Sequence, residues 1–128
     1  MSALKNYKDL KVYQLSKELA IEIHKMSLTL PKYELYEEGS QIRRSSKSIT
    51  ANIVEGYGRR NYKNEFIRYI TISLTECNET ITHLEFLFET KSLTNEELFT
   101  RLNNNYSTLG KMLNKFLYAI TTKHLSEK

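Results

Sequence analysis

The chain has 128 residues, 40% hydrophobic and 27% charged, with a net charge of +4. That length suits one domain with a real core, and one Pro and four Gly leave too little punctuation for a strand-rich fold. A single cysteine, Cys77, excludes a disulfide framework and a thiolate zinc cluster. The opening residues lack a signal-peptide core and no apolar run approaches membrane-spanning length, so a cytoplasmic home is expected.

The first helix is predicted over residues 9–28. Val12, Ser16, Leu19, Ile23, Met26 and Leu30 alternate spacings of four and three, which draws one stripe along a helix. Asp9 is the expected N-cap, and Pro31 ends the helix by disfavouring helical geometry at Leu30. Residues 32–38 read as a polar connector with two tyrosines and one helical turn. The second helix is predicted over 40–56, capped by Ser40, with Ile42, Ser46, Ile49 and Ile53 facing inward. Ser45 and Ser46 leave room there for a neighbouring backbone. Gly56 or Gly58 is expected to take the left-handed conformation that ends a helix, with Arg59, Arg60 and Asn61 forming the turn.

The third helix is predicted over 62–89 with Asn61 as its cap. Its stripe is Ile67, Ile70, Leu74, Cys77, Ile81, Leu84 and Phe88, the seam of a bundle helix about 40 Å long. The fourth helix is predicted over 95–121, opened by a capping box of Thr94 and Glu97. Phe99, Leu102, Tyr106, Leu109, Leu113, Phe116 and Ile120 form its stripe, and the tail from Thr122 is expected to fray. Short connections between four helices predict an all-α, antiparallel up-down-up-down four-helix bundle, one domain over residues 1–128.

One hairpin carries most of the distinctive chemistry. Arg43, Arg44, Lys47, Arg59, Arg60, Lys63 and Arg68 fall in it with few acids between them. Several long cations on one surface are what phosphate binding requires, and the interleaved Tyr57, Tyr62 and Tyr69 can stack on unpaired bases. The competing reading is a solvated face with inter-subunit ion pairs to Glu55, Glu65 or Glu79. Ser45, Ser48, Asn52 and Glu55 draw a second, polar stripe on the same helix. Such a stripe suits a helix contacted on two sides, by its own bundle and by another subunit, with Asn52 and Glu55 bonding backbone of the adjoining turn.

Catalysis and metal binding find little support. No base or nucleophile accompanies Asn52 and Glu55, and Gly56-Tyr57-Gly58 lacks the Lys-Ser/Thr of a phosphate loop. Helical di-metal sites use Glu-x-x-His pairs, yet none of His24, His83 and His124 has a Glu three residues before it. Glu79 and His83 read as a surface pair, and Cys77 as a core residue. No cofactor, metal or small-molecule substrate is expected.

The opening Tyr7-Lys8-Asp9-Leu10-Lys11-Val12-Tyr13-Gln14, and Pro31 with the Glu34 and Tyr36 after it, carry a resemblance. Gln41-Ile42-Arg43-Arg44, Ser48-Ile49 and Asn52-Ile53-Val54-Glu55-Gly56 carry it further. Together they are similar to the four-helix-bundle proteins encoded in bacterial 23S rRNA intervening sequences. Glu65-Phe66, Glu79, Leu84 and Gly110-Lys111-Met112-Leu113 fit the same pattern, which covers residues 7–120. Glu38, Ser45, Ser46, Glu76 and Thr80 depart from it, which bears on helix packing.

The resemblance implies a ring-shaped homopentamer with no established enzymatic activity. Gln41, Ser48, Asn52, Glu55 and Gly56 are then residues of a packing and subunit-contact motif. A related branch, the accessory proteins of diversity-generating retroelements, is a basic pentameric barrel that binds nucleic acid and a reverse transcriptase. The leading expectation is therefore a non-enzymatic homo-oligomer that binds RNA or DNA through the basic hairpin. The alternative is a protein–protein scaffold or adaptor without direct nucleic-acid contact.

Overall fold

The computed structural model describes residues 6–123. They form α1 (Lys11–Ser27), α2 (Glu38–Gly58), α3 (Lys63–Glu89) and α4 (Glu96–Lys123), with short 3-10 turns at Tyr7–Asp9 and Lys32–Tyr36. Paired residues run in opposite order along each neighbouring pair of helices. Ser16 and Ser27 of α1 meet Thr50 and Arg43 of α2, while Ser45 and Ile49 of α2 meet Thr80 and Ser73 of α3. Phe66 and Cys77 of α3 meet Phe116 and Tyr106 of α4, and Arg101 of α4 returns to Glu22 of α1. The helices are therefore antiparallel neighbours in ring order.

Large apolar side chains at three-four spacing fill the interior, among them Leu19, Ile23, Ile42, Ile49, Ile53, Leu102, Tyr106 and Leu109. On α3 the fully buried line is Phe66, Ile70, Ser73, Cys77, Thr80, Leu84 and Leu87. The expected Ile67, Leu74, Ile81 and Phe88 are only partly buried, one position aside. Ser73 and Thr80 take their places because α2 approaches too closely for larger side chains.

The helix ends differ from the sequence expectation. Asp9 does not cap α1; its carboxylate accepts from the Asn6 amide and closes the first 3-10 turn, and α1 starts from Leu10 without a side-chain cap. Ser40 is not a cap either, since α2 begins at Glu38, whose amide donates to the buried carboxylate of Glu34. The second Glu34 oxygen accepts from the Ser92 hydroxyl, tying the connector to the α3–α4 loop. Asn61 lies in the turn, one residue before the uncapped Tyr62, and Asn95, not Thr94, accepts from the Leu98 amide at 3.0 Å to open α4.

No described glycine has a positive φ, so neither Gly56 nor Gly58 ends α2 in the left-handed region; among the described residues only Lys91 enters it, at φ 68°. Gly56 is needed for proximity instead. A Cβ there would lie 3.0 Å from Tyr69 Cβ and 3.2 Å from Ile70 Cδ1. The fourth helix also continues through Thr122 to Lys123, its threonine hydroxyls bonding back to carbonyls of the preceding turn. His124 lies outside the described residues.

Candidate nucleic-acid interface

Packing between α1 and α3 turns successive α2 positions toward different neighbours, and so divides the basic set. Arg43 faces α1, where its guanidinium donates to Ser27 Oγ at 3.0 Å and to the Leu35 carbonyl at 2.6 Å. It fastens three segments together and is not a free phosphate ligand. Lys47 lies one turn on, with its Nζ 3.1 Å from His24 Nδ1. Arg44 faces α3 and meets Glu76 at 3.4 Å and Glu79 at 3.3 Å. Arg43 and Arg44 therefore do not share a surface.

Arg59, Arg60, Lys63 and Arg68 do gather at the α2–α3 turn. Arg59 pairs with Glu55 at 2.8 Å and lies near Glu65 at 3.7 Å. Arg60 stacks 4.2 Å from the centre of the Tyr57 ring, and Arg68 sits 4.4 Å from that of Tyr69. Hydrogen bonding to Glu55 is the largest cause that raises the Arg59 guanidinium pKa; contact with Tyr69 does the same for Arg68. The carboxylate partners expected from another subunit are thus found within the chain. Exposed pairs of this kind are weak in water, so a phosphate can exchange for the carboxylate.

Antiparallel topology adds cations that lie far away in the sequence. Leu10, Lys11 and Val12 share a groove with Met112, Lys115 and Phe116, and Phe116 touches Phe66 beside the α2–α3 turn. Lys8 and Lys11, the turn arginines and Lys63, and Lys115 therefore occupy one end of the bundle. Lys8, Lys11, Lys63 and Lys115 make no ion pair among the described residues. Exposed Glu37, Glu85, Glu89, Glu96 and Glu97 lie toward the opposite end, where Glu34 and Ser92 join the two loops. Charge is biased along the long axis, although Lys32 and Lys91 lie among these acids and Asp9, Glu55 and Glu65 among the cations.

The second polar stripe is also resolved. Asn52 donates to the Ser48 carbonyl at 2.9 Å and to the Ser48 hydroxyl at 3.0 Å, while Glu55 pairs with Arg59 one turn on. Neither bonds backbone of the α2–α3 turn: Asn52 is held one turn back within α2, and Glu55 by the side chain of Arg59. Gly56 serves the bundle's own α2–α3 contact, and Gln41 and Ser48 are exposed and half-buried respectively.

A family model described as 23S rRNA-intervening sequence protein matches residues 8–115. The chain belongs to this family. A solved relative is the crystal structure of a protein with unknown function from the S23 ribosomal protein family of Bacteroides thetaiotaomicron VPI-5482. The two share 31% identity at a TM-score of 0.76, over 84% of this chain and 95% of that one. Comparison with curated proteins finds no match.

In this 23S rRNA-intervening sequence protein, the remaining reactive groups serve the framework. His83 Nδ1 sits 2.7 Å from Glu38 Oε1, and its other nitrogen is 3.5 Å from Glu79, making the expected Glu79–His83 pair part of an α2–α3 network. Burial and the neighbouring Glu79 raise the Glu76 pKa above its ordinary value despite Arg44. Burial pushes the Cys77 thiol up to about 11, against the thiolate a nucleophile requires. No group of three or more metal-ligating side chains is placed to hold an ion among the described residues. Likewise, none of the described helices is long and apolar enough to cross a membrane.

Proposed function

We propose that this family member is a non-enzymatic, oligomeric cytoplasmic protein that holds RNA or DNA by its phosphates at the basic end of the bundle. The observation that carries the reading is the convergence there of unpaired lysines from the start of α1, the α2–α3 turn and α4. Tyr62, 69% exposed at the same turn, offers a face on which an unpaired base can stack. Contact with about five phosphates makes affinity fall several hundred-fold between 50 and 200 mM salt.

The test is RNA binding by fluorescence anisotropy at two salt concentrations. Replacing Lys8, Lys11, Lys63 and Lys115 together by Gln is expected to weaken binding at least about tenfold and to flatten the salt slope. Unchanged affinity and slope in that variant would overturn the reading and favour the scaffold alternative. The proposed assembly is the homopentamer that the family resemblance implies, with a light-scattering mass five times the 15.1 kDa protomer.

A further inference from the structure

Along the side of the bundle, α1 and α2 leave an open groove of about 510 Å³ between them. Its floor is Ala20, Ile21, Ala51 and Val54, with Tyr7 and Tyr13 toward one end. Ile21 is 47% exposed and continuous with the other apolar lining. Both alanines are small enough for another backbone to come close. The rim is Lys17, Lys25 and Lys47, joined by His24, and no carboxylate lines the groove.

These lysines differ from four of the six arginines. Arg44, Arg59, Arg68 and Arg101 each have a carboxylate of this chain within ion-pair distance. Lys17, Lys25 and Lys47 have none among the described residues. Lys17 instead lies 5.8 Å from the centre of the Tyr13 ring, and Lys47 approaches only the imidazole of His24. An acidic occupant would therefore meet these lysines without displacing a carboxylate of this chain.

We infer that the groove is a docking site for an amphipathic helix of a partner protein, with one apolar stripe flanked by Asp and Glu. From Tyr13 to Lys25 the α1 wall runs about 18 Å, the length of roughly three turns of a second helix. A groove between two helices accepts the ridge of a third, and apolar anchors at i, i+3, i+4 and i+7 meet the alanine floor. Two copies of this face do not pair with each other, because lysine would oppose lysine across the contact. A ring contact that seats a different face of the next copy here is separated from the proposal by the assembly readout of the Ala51→Arg variant. A single-headed anionic amphiphile fits poorly as well. Lys25 and Lys47 sit with His24 toward one end and would take one carboxylate head, leaving Lys17, about two turns away beside Tyr13, without a partner.

The experiment uses the full chain and a fluorescein-labelled 18-residue helical peptide with a Leu stripe flanked by Glu. A charge-reversed peptide with Lys flanks and free decanoate serve as controls. Binding of the Glu peptide with a Kd on the order of tens of micromolar supports the proposal. So does at least about tenfold weakening in both Ala51→Arg, which lays a long side chain across the groove, and the double variant Lys17→Glu with Lys47→Glu. Circular dichroism melts check that both variants remain folded. Equal binding of the Lys peptide, an unaffected Ala51→Arg variant, or binding of decanoate alone overturns the proposal. It also fails if Ala51→Arg dissociates the protein's own assembly, since the groove then belongs to another copy. Loss of RNA affinity in the lysine variant with peptide affinity intact overturns it too, and assigns the rim to nucleic acid.

Discussion

The two contacts of α3 are built on opposite principles. Against α2 it presents hydroxyls, and α2 answers with a serine and a glycine: Ser45 meets Thr80 at 2.8 Å, Ser73 donates to the Ile49 carbonyl at 2.9 Å, and Gly56 lies against Tyr69 and Ile70. Against α4 it presents bulk: Phe66 packs edge-on to Phe116 with ring centres 5.8 Å apart, and Phe88 stacks on Phe99 at 4.2 Å. The first contact is held by short hydrogen bonds and close approach, the second by filled volume. The α2–α3 contact should thus resist added atoms and tolerate removed ones, whereas the α3–α4 contact should behave the other way round.

The largest test is Phe66→Ala. Phe66 is 1% exposed and touches both Tyr57 and Phe116, so its removal should cost about 3–5 kcal/mol in urea unfolding. A loss comparable to that of a hydroxyl deletion would erase the contrast. Gly56→Ala comes next. Alanine favours helix by about 1 kcal/mol, but crowding of Tyr69 and Ile70 costs about 1–3 kcal/mol, so we expect a lower melting temperature. A stabilised variant would show that α2 and α3 have room to spare.

Ser45→Ala should cost less, about 1 kcal/mol, because Thr80 keeps its bond to the Glu76 carbonyl and is not orphaned. A loss as large as that of Phe66→Ala would mean that the hydroxyl contact is the stronger of the two. Smallest is the effect of Glu76, read as a pH slope. Its pKa is raised in the folded state, so above the ordinary value of 4.5 the native chain holds a proton that the unfolded chain releases. Stability therefore falls as pH rises through that window, and Glu76→Gln should flatten the decline. A steeper decline in the variant would reverse the assigned sign.

The same contrast explains what could be read from the sequence. The stripes of α1 and α4 were legible because large apolar residues recur at helical spacing. On α3, Ser73 and Thr80 resemble solvent-facing residues in a pattern, so the expected stripe moved one position toward Ile67, Leu74, Ile81 and Phe88. Helix caps failed where several polar residues compete within two positions, as Thr94 and Asn95 do. At the candidate site, Arg59, Arg60, Lys63 and Arg68 were legible as a local cluster. Lys8, Lys11 and Lys115 were not, since only the antiparallel return of the chain brings them to that end. Arg43 and Arg44 misled because adjacent helical residues point about 100° apart and meet different helices.

The lengthwise separation of lysine from glutamate gives the bundle a handle that acts before contact. A rod with unlike poles experiences a torque near a polyanion once it comes within a screening length, about 8–10 Å at physiological salt. On the proposed nucleic-acid function, it would then arrive with the α2–α3 turn leading and Glu85, Glu89, Glu96 and Glu97 trailing. Orientation is thus selected during diffusion, and the contacting residues need only hold what the field has already aligned.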